Sequence, residues 1–386
     1  MKLSETRTRS LWFVILSAIL LPTMFFNFSV LKLTGLKSNL RFGDLRLVLE
    51  WTDCYKESGD LLYQTFDPKI PCSGYIYGEP LMQMLNVLGI HESRTTPIGF
   101  IFCLMIALLL AMSLNLNKTS KLTLLLVVSS PPFALLLDRG NLDTFVGFLV
   151  LMSALAFSRR MELLAILILV VSTLLKFYTL PILLVAFVLC KGISKRIIIA
   201  ISMLLTGVLV TINIQKIQTP FPSGYFAKFG VLIWGSYAEK YSTFWSSTIF
   251  QLVINASIAG LSIFLVYKAR RYNQELVWDP YVNSDNQVIT IWFLVAHVAC
   301  FISGLSYDYR LVFIAVSTLA YLANREDQIY KLERKVLTVL LMTSLWFTFL
   351  VPKMAPIGDI ALEVLTAWMF FQVVSAILRN IRRNHV

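Results

Sequence analysis

The run LLAILILVVSTLLKFYTLPILLVAFVLC, residues 163–190, decides the fold. Its 28 residues exceed the roughly 20 that one helix needs to cross a bilayer and fall short of two full crossings. Charge resolves the ambiguity. Arg159 and Arg160 precede the run, Lys191, Lys195 and Arg196 follow it, and basic residues beside apolar spans stay on the cytoplasmic side. Both ends therefore lie on one side, so the chain goes in and comes back, turning near Lys176 to Pro181. The run 122–157 reads the same way, as a hairpin with its tip at Asp138 to Asp143. Helices that stop short of a full crossing leave polar tips buried in protein or lining a wet cavity, where irregular backbone is tolerated at membrane depth.

The rest of the chain continues the pattern. With 57% hydrophobic and 15% charged residues and a mean hydropathy of +0.72, it cannot be a soluble domain. Further apolar stretches fall near residues 11–30, 98–116, 197–212, 246–267, 288–304, 311–323, 336–351 and 360–378. With the two hairpins these predict about twelve transmembrane or partly re-entrant helices in a single all-α integral membrane domain, residues 1–386. The first stretch is too long for the apolar core of a signal peptide, and no small-residue cleavage site follows it, so it is expected to stay and insert. The net charge of +12 is spread over short basic clusters between spans, where it sets topology. The expectation is a multi-pass protein of the plasma or inner membrane, in contact with membrane lipids, with both termini cytoplasmic and no nucleic-acid partner.

Two large loops, residues 32–97 and 213–245, then lie outside. In the first, Leu45, Val48, Leu49, Thr52 and Tyr55 recur at helical spacing behind Asp44, with charge on the other face. They predict an amphipathic helix at the interface that ends at Ser58-Gly59. The second is rich in aromatics, among them Tyr225, Trp234, Tyr237 and Trp245, which suit either a membrane-interface belt or stacking on sugar faces. Cys54 and Cys72 share the first loop, where an oxidising compartment permits pairing. Cys103, Cys190 and Cys300 lie in or beside spans and read as small apolar residues. No Cys, His or paired-carboxylate spacing suggests a metal, and no cofactor is implied.

Four polar clusters carry the chemistry: Gly43-Asp44, Asp138-Arg139-Gly140-Asn141, Lys176-Phe177-Tyr178 and Ser306-Tyr307-Asp308-Tyr309-Arg310. Asp44 suits a helix N-cap as well as a catalytic base. Arg139, at a tip embedded near the membrane, needs a partner, and Asp138 beside it could serve structurally. Lys176 stands inside an apolar run, where an unused charge is expensive. Arg310 either snorkels to the interface or forks onto phosphate oxygens. Together, three cations facing a loop carboxylate form an anion site at the outer surface, and a lipid-linked phosphate is an anion found at that depth. Arg139, Lys176 and Arg310 would neutralise the departing phosphate, and Asp44 would take the proton of an attacking hydroxyl. One well-placed carboxylate favours a single displacement with inversion.

Gly43-Asp44 before a helix, Gly59-Asp60-Leu61-Leu62-Tyr63, Tyr75-Ile76-Tyr77-Gly78-Glu79-Pro80-Leu81, Arg139-Gly140-Asn141, Lys176-Phe177-Tyr178 with Pro181, and residues 306–310 follow one another along the chain. The chain resembles, over most of its length, the C-type membrane glycosyltransferases related to the mycobacterial polyprenyl-phosphate-mannose-dependent α-mannosyltransferases (glycosyltransferase family 87). The resemblance implies a C-type bundle and transfer of a hexosyl, first of all mannosyl, or pentosyl residue from a polyprenyl-phosphate sugar to a lipid or glycan acceptor. It also implies an extracytoplasmic site serving cell-envelope glycan synthesis, with Asp44 as base and Asn141, Tyr178, Tyr307, Asp308, Tyr309 and Tyr77 binding substrate. Gly78-Glu79 departs from the family's proline beside tyrosine and leaves Glu79 as a competing carboxylate. His297, inside a span, reads as a packed histidine. A secondary transporter or flippase for a lipid-linked or anionic substrate, and a non-catalytic lipid-binding subunit, are the alternatives.

Overall fold

A computed structural model describes residues 10–18, 20, 42–58, 79–113, 121–190, 192–216, 228–230, 233–234, 248–272, 285–303, 306–307, 310–323, 331–350 and 354–384. These are almost wholly helical. After a helical stretch over residues 10–18, the expected amphipathic helix is present as α1 (Gly43–Ser58), which begins one residue before Asp44; Gly59 lies outside the described residues. Leu45, Val48, Leu49 and Thr52 are buried along one stripe, and Asp44 sits in the first turn, where the helix dipole favours an anion. Helix α2 (Glu79–Val87) packs on α1. A 3-10 turn at Glu92–Arg94 leads into α3 (Thr95–Ser113).

The expected single stretch at 122–137 is broken. It forms α4 (Lys121–Val128) and α5 (Pro131–Arg139), because Pro131 and Pro132 lack the N–H groups that would continue α4, while proline suits the first turn of a new helix. Helix α6 (Asp143–Ser158) leaves α5 at an angle of 107°, so the predicted hairpin at Asp138 to Asp143 is a bend rather than a full reversal. Its hinge is Gly140, with φ +57°, a conformation only glycine adopts freely. The run 163–190 breaks where expected: α7 (Glu162–Leu175) ends at Lys176, a 3-10 turn spans Phe177–Thr179, and α8 (Leu180–Leu189) follows with Pro181 near its start. Helix α9 (Ile193–Lys216) returns along α7 and α8.

Beyond these lie β1 (Lys228–Phe229), α10 (Thr248–Tyr272), α11 (Asp285–Ile302), β2 (Ser306–Tyr307), α12 (Leu311–Ala323), α13 (Lys331–Leu350) and α14 (Ala355–Asn384). β1 and β2 form one antiparallel bridge, Lys228 opposite Tyr307 and Phe229 opposite Ser306. Among the described residues four helices are long and apolar enough to cross a membrane, over Glu92–Ala111, Ile193–Ile212, Asp285–Ile302 and Ala355–Ser375, and five if the bent α5–α6 pair counts as one. The stretches at 163–190 and 311–323 are shorter apolar helices, and most of 11–30 lies outside the described residues. The chain is a helical membrane protein.

It divides into two units, residues 1–112 with 134–221, and 113–133 with 222–386. In the first, α6 lies along α7, and α7 against α2, α8 and α9. Lys195 on α9 closes this layer through an ion pair of 3.0 Å with the buried Glu162. In the second, α13 and α14 pack together, α11 packs on α12, and α14 also touches α10 and α11.

Candidate functional site

The site in the first unit is built on Phe42. Its backbone is left-handed, φ +57°, and its N–H donates to the Asp138 carbonyl at 2.7 Å. The buried ring meets Phe100 edge-on at 5.9 Å between centroids. It also fills the space beside Gly140, where an added Cβ would stand 2.9 Å from Phe42 Cδ1. The start of α1 is thereby pinned to the α5–α6 bend, although the two are nearly a hundred residues apart in sequence.

This contact brings Asp44 to its partners. Arg139 Nη1 donates to Asp44 Oδ1 at 3.0 Å, and Asn141 Nδ2 donates to Asp44 Oδ2 at 2.6 Å. Asn141 Oδ1 in turn accepts the backbone N–H of Asp143 at 2.9 Å. Asp143 Oδ1 accepts the Tyr178 hydroxyl at 2.7 Å and faces Lys176 Nζ at 3.4 Å. Three of the four predicted clusters, at 43–44, 138–141 and 176–178, therefore form one continuous polar chain at the breaks of apolar helices. The carboxylate of Asp44 engages side chains from the bend instead of serving only to start its own helix. Its side chain is 23% exposed and that of Arg139 50%. Each Asp44 oxygen accepts one of these bonds and keeps acceptor capacity for a hydroxyl, and the guanidinium has donors beyond the one it uses.

The rest of α1 is tied down by other pairs. Arg46 pairs with Glu50 at 2.9 Å and Glu92 at 2.8 Å, and these two carboxylates hold its guanidinium pKa above the ordinary value, the Glu50 hydrogen bond contributing most. Asp53 bonds His91 Nδ1 at 2.7 Å and the Glu92 N–H at 3.1 Å. Cys54 is disulfide-bonded.

The other predicted residues belong to other elements or lie outside the described residues. Glu79 opens α2, where it accepts from Gln83 at 3.2 Å; it is not among the partners of Asp44. Tyr77, Asp308 and Tyr309 lie outside the described residues. Tyr307 belongs to β2, and Arg310 stands half-buried before α12; both are in the second unit. His297 is packed as expected: it is buried on α11, its Nε2 3.0 Å from Thr366 Oγ1. Trp234, from the aromatic loop, donates its indole N–H to Glu363. Asp143 is the residue the sequence reading did not single out. A carboxylate that opens an apolar helix and is buried there carries the same signal that marked Lys176, a charge too costly to bury unused.

Compared with known proteins, the chain matches no family model, no curated protein and no solved structure. Fold and composition define the class, a polytopic helical membrane protein, and the reading of its activity rests on the Asp44 site.

Proposed function

We propose that the protein is a membrane glycosyltransferase of C-type architecture. It moves a hexosyl, first of all mannosyl, or pentosyl residue from a polyprenyl-phosphate sugar to a lipid or glycan acceptor. The active site faces the extracytoplasmic side of the cell membrane, and both termini are cytoplasmic. One observation carries the reading: a partly exposed carboxylate, Asp44, is held beside a half-exposed guanidinium, Arg139, at a bend in apolar helices. In the reaction the acceptor oxygen bonds to the anomeric carbon opposite the phosphate, and its proton passes to Asp44. The bond from the anomeric carbon to the phosphate oxygen breaks, the electron pair leaves with the polyprenyl phosphate, and Arg139 offsets the developing charge. Asn141 keeps Asp44 oriented through its 2.6 Å bond. Incubating membranes that contain the protein with a panel of radiolabelled polyprenyl-phosphate sugars tests this. Protein-dependent transfer from at least one donor supports it, and no transfer from any donor, with acceptor lipids present, rejects it.

A second reading, a secondary transporter or flippase, draws on different residues. Asp359, Glu363 and His297 are buried within helices long enough to cross the membrane, and ionisable groups at such depth commonly line substrate or ion paths. Translocation of a fluorescent polyprenyl-phosphate lipid in proteoliposomes, without sugar transfer, would favour it.

A further inference from the structure

We infer that Asp143 is the positioning residue of the Asp44 site, with Lys176 as its counter-ion rather than a ligand of the donor phosphate. The inference rests on the glycosyl-transfer reading only where turnover is the readout.

Asp143 contributes two groups that point in different directions. Its backbone N–H bonds Asn141 Oδ1 at 2.9 Å. This leaves the Asn141 amide one workable orientation, with its NH2 directed at Asp44, since only that group can donate. The Asp143 carboxylate, 0% exposed, reaches across to the α7–α8 break, where the Tyr178 hydroxyl bonds it at 2.7 Å and Lys176 Nζ stands 3.4 Å away. One residue thus ties the break at Gly140 to the break at Lys176 and sets the group that holds the base.

The charges agree with this assignment. A carboxylate buried among apolar helices needs a cation or a proton, and Lys176, itself 8% exposed, supplies the charge that balances Asp143. A buried pair has no net charge left to attract an anion. Arg139, half-exposed and donating to the same Asp44, keeps donors with which to meet a phosphate. Lys176 at an apolar break is therefore functional, as its sequence context demands, but through Asp143.

The test is a double-mutant cycle on the full-length protein in detergent, comparing wild type, Asp143→Asn, Lys176→Met, the double variant and Tyr178→Phe. The readouts are thermal midpoint, hydrogen exchange over residues 42–50, and donor KM and kcat. Each single neutralisation is expected to lower the midpoint and speed exchange in 42–50, with kcat reduced on the order of a hundredfold and donor KM unchanged. The double variant should regain most of the midpoint, and Tyr178→Phe should show a smaller loss of the same kind. A donor KM raised equally in Lys176→Met and the double variant, with no recovery of the midpoint, would make Lys176 a phosphate ligand and overturn the inference. Wild-type exchange over 42–50 in Asp143→Asn would overturn it too, by showing that Asp143 does not hold α1. If wild type transfers no sugar, the proposed function fails, while midpoint and exchange, which need no substrate, still decide the role of Asp143.

Discussion

Gly99 on α3 and Phe42 ahead of α1 meet so closely that a methyl group on Gly99 would stand 2.5 Å from the Phe42 ring. No bonded or polar group is involved. Yet Phe42 is two residues from Asp44 and hydrogen-bonds the Asp138 carbonyl, so the shape of α3 at this glycine decides where the carboxylate sits.

Gly99→Ala is therefore expected to destabilise the protein by about 1–3 kcal/mol, the usual effect of overpacking a filled core, and to reduce turnover although it lies outside the polar chain. Gly207 and Gly260, also helical and with open space around a new Cβ, are the controls. Alanine there should be neutral or stabilise by up to about 1 kcal/mol. Thermal unfolding of the three variants in one detergent checks this; equal behaviour of all three would contradict it.

Arg139 gives the opposite profile. Its ion pair with Asp44 is half-exposed and should add less than about 1 kcal/mol to stability. A lost charge-assisted bond to donor phosphate should weaken donor binding by about 1.5–3 kcal/mol. Arg139→Ala is expected at normal membrane levels with a raised donor KM. An unchanged KM would remove Arg139 from the phosphate site.

Chelation should leave transfer intact. Residues 32–97 and 213–245 carry no paired-carboxylate or His-x-His spacing, and in the proposed reaction Arg139 would supply positive charge to the departing phosphate, the part a divalent ion would otherwise play. Activity lost with EDTA and restored by manganese or magnesium would contradict this.

Much of this architecture can be read from the sequence where charge or backbone chemistry leaves a mark. Asp44 marks the first turn of α1, and the basic residues on both sides of 163–190 point to the break found at Lys176. The break between α4 and α5 was equally marked by Pro131-Pro132, but the hydropathy of 122–137 runs through it and suggests a single span. The meeting of Asp44 with Arg139 could be anticipated only as a shared membrane face, because a contact between residues 95 apart has no local signature. Asp143 stands only at the edge of the tip expected at 138–143, beside the cluster that ends at Asn141, and its buried link to Tyr178 and Lys176 has no local signature. The fit of Phe42 against Gly99 leaves no periodic trace at all, since shape complementarity is a property of the folded surfaces and not of either segment.

The central claim is that Asp44 removes the acceptor proton during a single displacement. Asp44→Asn keeps the size of the side chain and can still accept from Arg139 or Asn141, but it cannot take a proton as a carboxylate does. The measurement is turnover of Asp44→Asn against wild type with the donor that wild type uses, together with the anomeric configuration of the wild-type product. The account predicts a loss on the order of a hundredfold or more, the usual contribution of general-base catalysis, at normal protein levels and donor KM, with the configuration inverted. Near-normal turnover in Asp44→Asn, with Glu79→Gln inactive, or a product of retained configuration, would contradict it.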